Sequence, residues 1–123
     1  MIARTTFLTL LVIVTVLALY PRLQLPELSA FHGYLDKIGH ALGFATLAVL
    51  GVCAWQCRWP LIGGLVCYAV ILELLQSFSP GREVGVGDAL ANLFGLAIGF
   101  GLAMTVRRAR AITITGDIGD GQM

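Results

Sequence analysis

Charge is what this chain has least of. Eight Lys or Arg and seven Asp or Glu stand among 123 residues, 12% of the total, against roughly 25% in a soluble domain. A soluble core of this size buries only about two thirds of the chain's surface and leaves the rest to water. So few charged groups could not cover that remainder, which excludes a water-soluble globular domain and makes lipid the main solvent. The formal charge of +1 gives no footing for a nucleic-acid partner, and the only basic cluster is Arg107, Arg108 and Arg110. Cysteine is also scarce. Cys53, Cys57 and Cys67 lie within or beside apolar segments, so neither a disulfide framework nor a thiolate metal site is expected. They read instead as small packing residues inside the protein. No HExxH or comparable signature occurs, and no metal or other cofactor is expected.

Apolar residues are abundant, at 58% of the chain. They fall into four runs, about Thr5 to Tyr20, Ile38 to Gln56, Leu61 to Ser77 and Val86 to Val106, separated by Pro, Gly and charged residues. A membrane span needs roughly 17–25 residues. Only helices or closed barrels can cross lipid, and runs of this length without strict alternation are helices. The expected fold is therefore all-α: a polytopic membrane protein folded as a compact bundle of about four transmembrane helices. It forms one domain over residues 1–112, followed by a polar tail, 113–123, expected to be poorly ordered. The first run is the shortest and is stopped by Pro21 and Pro26. With Arg4 before its apolar core it could be a secretory signal, but no small-x-small cleavage site follows, so a retained helix is expected. Pro60 sits where a helix tolerates proline, in the first turn. Asp88 occupies the first turn of the fourth helix, a favourable place for a negative side chain beside exposed amides.

Lys and Arg counted near the span ends set the orientation. Arg4, Arg58, Arg107, Arg108 and Arg110 fall on one side, and Arg22, Lys37 and Arg82 on the other. The larger set places both termini in the cytoplasm, as expected for a multi-pass protein of a bacterial plasma membrane. The same parity gathers polar residues at the outer end: Asp36, Lys37 and His40 start the second helix, Glu73, Gln76 and Ser77 finish the third, and Asp88 and Asn92 start the fourth. Spacings of three and four put each set on one helical face. Below Asn92 that face continues through Gly95 and Gly99, a small-xxx-small pattern that lets helices approach closely. Gly39 and Gly43 offer a similar pair on the second helix.

An ionisable side chain at the bilayer centre costs roughly 2.5–3.5 kcal/mol on insertion scales, so such residues face the bundle interior with a partner. For Glu73 the candidate partners are Arg82, Lys37 and His40, with Gln76 adding a hydrogen bond. The loop SFSPGREVGVG is Gly-rich and contains Pro80, and can fold back to bring Arg82 over the carboxylates. His32, Asp36 and His40 would stack three possible metal ligands on one helix face if the second helix began early, but without a metal-binding signature no metal site is expected there.

Three segments carry a family resemblance: DKIGHALGFATL from Asp36 to Leu47, ELLQSFSPGR from Glu73 to Arg82, and DALANLFGLAIG from Asp88 to Gly99. They resemble the VanZ-like membrane proteins, whose pattern is Asp-Lys-x-x-His, then Glu-x-x-Gln before a Pro-x-Arg loop, then an Asp-x-x-x-Asn-x-x-Gly helix. The resemblance implies a small bacterial multi-helix membrane protein, residues 1–112 forming the VanZ-like domain. It also implies a link to the cell envelope, since the founding member is connected with low-level resistance to the glycopeptide antibiotic teicoplanin. It implies no established reaction. Phe44 stands where a Tyr is common in the family.

Three readings of the polar set follow. It is an interhelical network that fixes packing, as buried polar groups must be paired. Or it is an outward-facing site for an anionic lipid or envelope precursor, in which Arg82 and Lys37 hold a phosphate and the Gln and Asn amides orient the rest. Or it is a membrane-embedded enzyme in which His40 or Glu73 acts as acid or base.

Overall fold

The computed structural model describes residues 1–20, 29–56, 59–80 and 85–120, with the backbone alone at 29, 30, 32 and 117–120. Four α-helices make up the fold: α1 (Ile2–Leu19), α2 (Ser29–Trp55), α3 (Trp59–Gln76) and α4 (Val86–Asp120). All four are long and apolar enough to cross a membrane. The expected all-helical membrane bundle is the observed fold.

Two boundaries differ from those expected, for one reason. α2 starts at Ser29 rather than Ile38, and α4 runs to Asp120 rather than ending near Val106. Charged residues at 36–37 and 107–110 read as the ends of apolar runs, yet charge alone does not break a helix. Proline does, and none occurs in 29–55 or beyond Pro80. The tail expected to be poorly ordered is therefore helical through Asp120. Thr113 and Thr115 hydroxyls donate to the carbonyls of Ala109 and Ala111, so these polar side chains are served within the helix. At 1.5 Å per residue α4 is about 50 Å long, well beyond the roughly 30 Å of a hydrocarbon core.

α2 is the hub. It touches α1, α3 and α4, while α1 and α4 make no direct packing contact among the described residues. The α2–α4 crossing is the most extensive, and its cause lies in residue size. A Cβ added at Gly95 would run into the Ala41 carbonyl oxygen, and one at Gly99 into the Ala45 carbonyl oxygen and, at 2.7 Å, the Ala48 Cβ. Glycines on α4 thus meet alanines on α2, backbone against backbone, as the small-xxx-small pattern allows. Gly39 and Gly43 are not the matching pair. Gly43 lies 3.4 Å by its notional Cβ from Val14 of α1, and Gly39 has open space before it. The faces of α2 explain this, because 41, 45 and 48 lie on a different side of the helix from 39 and 43.

The remaining core is aliphatic and aromatic. Phe44 and Leu47 of α2, Leu65, Ala69 and Leu72 of α3 and Leu96 of α4 are buried together. Phe7 meets Trp55 edge-on with centroids 5.1 Å apart, and Phe44 lies 5.6 Å from Tyr68. Thr15 donates to the Leu11 carbonyl at 2.7 Å, which leaves its oxygen to accept from the Tyr68 hydroxyl, also at 2.7 Å. That bond ties α1 to α3 in mid-bundle.

Most other apolar side chains point outward, Val12, Val16, Ile71, Leu90, Ile98 and Leu102 among them. Cys53 and Cys67 are exposed as well, which corrects the expectation that the cysteines pack inside; Cys57 lies outside the described residues. A thiol is as well accommodated by acyl chains as by a core, so an apolar run does not reveal which of its faces is turned inward.

The two ends of the bundle differ in character. At one, the Arg4 guanidinium sits 5.6 Å from the Trp55 ring centroid, and Gln56, Arg107 and Arg108 line a common hollow. Gln56 closes α2 with a left-handed backbone, φ 67°, and donates its amide to the Val52 carbonyl at 2.9 Å, a helix-ending conformation. The other end carries the polar side chains.

Candidate functional site

His40 is the centre of the polar end. It lies on the inner face of α2 one turn after Asp36, a spacing of four that stacks the two side chains. Its Nδ1 is 2.8 Å from Asn92 Oδ1. A carbonyl oxygen can only accept, so this bond assigns the ring proton to Nδ1 and leaves Nε2 facing the other way. There it meets Asp36 Oδ1 at 3.6 Å and Gln76 Nε2 at 3.5 Å. Gln76, the last residue of α3, also donates to the Ala18 carbonyl at 3.0 Å. All four helices therefore meet at this end.

α4 supplies the opposite wall. Asp88 is in its first turn, where the amides carry partial positive charge. The Asp88 amide closes a turn onto the Gly85 carbonyl at 3.0 Å, and its carboxylate folds back toward Gly85, whose notional Cβ would lie 3.4 Å from Oδ2. One ligating atom each from Asp36, His40 and Asp88 lie within 4.8 Å of one another. One turn deeper on the same face stands Asn92, fully buried. Its Oδ1 serves His40, but its Nδ2 has no hydrogen-bond partner among the described residues.

The residues expected at the site are distributed as follows. Asp36, His40, Gln76, Asp88 and Asn92 come together through the contacts just given. Glu73 is buried on α3 one turn before Gln76. Lys37 is exposed, its Cε 2.7 Å from the notional Cβ of Gly87, so its aliphatic stem lies across the start of α4 and leaves the ammonium at the rim. Ser77 lies in the turn after α3 and donates to the Leu74 carbonyl. Arg82 and the loop at 81–84 lie outside the described residues, as does the His32 side chain, although α2 begins early enough to include His32 as a helical residue.

α1 contributes to this end without any polar side chain of its own. Its part is a backbone carbonyl, that of Ala18, and a set of apolar side chains. Val14, Leu17 and Ala18 face Leu35, Asp36, Gly39 and His40 across a cleft of about 170 Å³. Gly39, with open space where a side chain would stand, keeps this cleft from closing. The one sequence signal available was that Ala18 is the small residue in the last turn of an otherwise bulky helix. The cleft is apolar along α1 and polar at Asp36 and His40, so its lining is itself amphipathic.

A neutral imidazole held at Nδ1 by an amide can accept a proton or offer a lone pair at Nε2. Two carboxylates beside it favour a cation or a positively charged group. An amide N–H₂ buried without a partner favours an oxygen acceptor, because leaving such a group unpaired costs about 1–3 kcal/mol.

No curated protein and no solved structure matches the chain. A family model described as VanZ/LLP1 matches residues 3–107, which takes in α2, α3, nearly all of α1, α4 as far as Arg107, and every residue of the polar end. The chain belongs to the VanZ/LLP1 family.

Proposed function

We propose that the polar end of the bundle is an outward-facing binding site for an anionic membrane lipid or lipid-linked envelope precursor in the bacterial plasma membrane. The observation that supports this best is the cleft between α1 and α2: an apolar wall of Val14, Leu17 and Leu35 runs into Asp36 and His40. A molecule that is oily along one part and polar at its head matches such a lining, and hydrophobic sites with a few placed polar groups are the common form of a ligand pocket. Lys37 at the rim and Arg82 in the following loop are the cations that would hold a phosphate. The carboxylates of Asp36, Glu73 and Asp88 keep those cations placed. A role in cell-envelope processes, including tolerance of glycopeptides such as teicoplanin, belongs to this reading as the consequence of holding such a lipid.

A second reading is favoured by a specific observation. His40 bonds Asn92 across α2 and α4 and Gln76 bonds Ala18 across α3 and α1, so the same groups also fix the packing of the bundle. Substitution separates the two roles. Lys37→Ala and Arg82→Ala, purified in lipid nanodiscs, are expected to accumulate in membranes like the wild type while retaining a lipid-linked phosphate at least tenfold more weakly. Equal retention by both variants and the wild type would remove the binding site and leave packing as the role of the polar set.

A further inference from the structure

We propose that Asp36, His40 and Asp88 form a binding site for a divalent transition-metal ion, zinc being the ion whose ligand preferences fit best. The inference does not depend on the lipid reading above. Asp36 and His40 come from one turn of α2 and Asp88 from the first turn of α4, and one ligating atom of each lies within 4.8 Å of the others. Ligands about 2.0–2.2 Å from zinc stand roughly 3.3 Å apart in a tetrahedron. The His40 Nε2 to Asp36 Oδ1 separation of 3.6 Å is already close to that, and an Asp88 carboxylate oxygen lies within 4.8 Å of both. The set is one imidazole and two carboxylates. Imidazole selects borderline ions such as zinc over magnesium and calcium, which prefer oxygen alone.

The tautomer of His40 points the same way. With Nδ1–H donating to Asn92 Oδ1 at 2.8 Å, the Nε2 lone pair faces a carboxylate oxygen. The Gln76 amide, 3.5 Å away, is a distant donor to that lone pair, which a cation would engage directly. A metal-bound histidine characteristically donates its other N–H to an oxygen acceptor that fixes the ring, and Asn92 fills that place. A second, independent feature is the Asn92 Nδ2, fully buried and without a hydrogen-bond partner among the described residues. It stands one turn below Asp88 on the same face of α4. A water or anion oxygen completing the ion's coordination is the acceptor this donor lacks. Entry is open, since Asp36 and Asp88 are both half-buried and Asp36 lines the cleft.

The sequence offers Asp36 and His40, with His32, as possible ligands on one helix face, but not Asp88, which comes from another helix about fifty residues away. The test uses full-length protein in detergent, with its affinity tag removed and bound metal stripped. Co²⁺ is titrated as a spectroscopic stand-in and displaced with Zn²⁺, with Mg²⁺ as a control. The expected result is one Co²⁺ per chain, with visible bands of a nitrogen and oxygen ligand set and no thiolate charge-transfer band, displaced by Zn²⁺ but not by equimolar Mg²⁺. Asp88→Asn, Asp36→Asn and His40→Gln should each weaken Co²⁺ binding at least tenfold. Their helical circular dichroism and elution volume identify any variant that has lost its fold, and one folded variant of the three suffices. No Co²⁺ uptake by the wild type, or unchanged affinity in the folded variants, overturns the site.

Discussion

Asn92 shows how much one side chain can determine here. Its Oδ1 fixes the His40 ring at 2.8 Å, and its complete burial means that water cannot take over if the amide is removed. Asn92→Ala is therefore expected to destabilise the protein by about 1–3 kcal/mol, the cost of leaving a buried imidazole N–H unpaired, and thermal unfolding in detergent measures it. Tyr68→Phe should cost less. Its hydroxyl bonds Thr15 between two helices, and such bonds in membranes average about 0.6 kcal/mol. At this scale the sequence was informative wherever chemistry sits in side chains. Asp36, His40, Gln76, Asp88 and Asn92 announce themselves as polar groups in apolar surroundings. The Ala18 carbonyl does not, because every residue has one and only the fold decides which are used.

At the scale of the helix, pattern reading succeeds for what breaks a run and fails for what merely charges it. The prolines at 21, 26 and 80 fall between the observed helices and Pro60 in the first turn of α3, whereas Asp36 and Lys37 lie inside α2. Size, similarly, is legible on α4, where Gly95 and Gly99 form the expected contact, but the partner surface proved to be Ala41, Ala45 and Ala48 rather than Gly39 and Gly43. Alanine is too common in apolar helices to stand out. The crossing supplies a paired test. Gly99→Ala forces a methyl into the α2 backbone and is expected to destabilise by about 1–3 kcal/mol, as overpacking does. Gly101→Ala, two residues on and facing open space, should instead be neutral or stabilise by up to about 1 kcal/mol through helix propensity. Unfolding of the two variants side by side checks both signs; equal effects would mean that the α2–α4 contact is looser than described.

For the whole molecule, the four-helix membrane architecture was legible from hydropathy alone, since lipid leaves so few alternatives. The orientation remains a proposal resting on the distribution of Lys and Arg. Arg4, Arg107 and Arg108 do gather at one end of the bundle, with Trp55 and Gln56, and the polar set occupies the other. A reporter active only outside the cytoplasm, inserted at Arg82, is expected to be active, and the same reporter placed after Arg110 to be silent. The reverse pattern would turn the polar end toward the cytoplasm.

Among the described residues α1 and α4 do not touch, and α2 and α3 lie between them. The tight glycine–alanine seam locks α2 to α4, and with it the arrangement of Asp36, His40, Asp88 and Asn92. α1 packs on α2 through Val14 against Gly43 and on α3 through the Thr15–Tyr68 bond, and its Ala18 carbonyl reaches the polar end through Gln76. A cross-link made by Val14→Cys and Gly43→Cys, in a chain whose own cysteines are serines, should shut the lateral doorway to acyl chains while metal uptake at the locked unit continues. The fold thus separates the groove that would admit a ligand from the rigid base on which its head would rest.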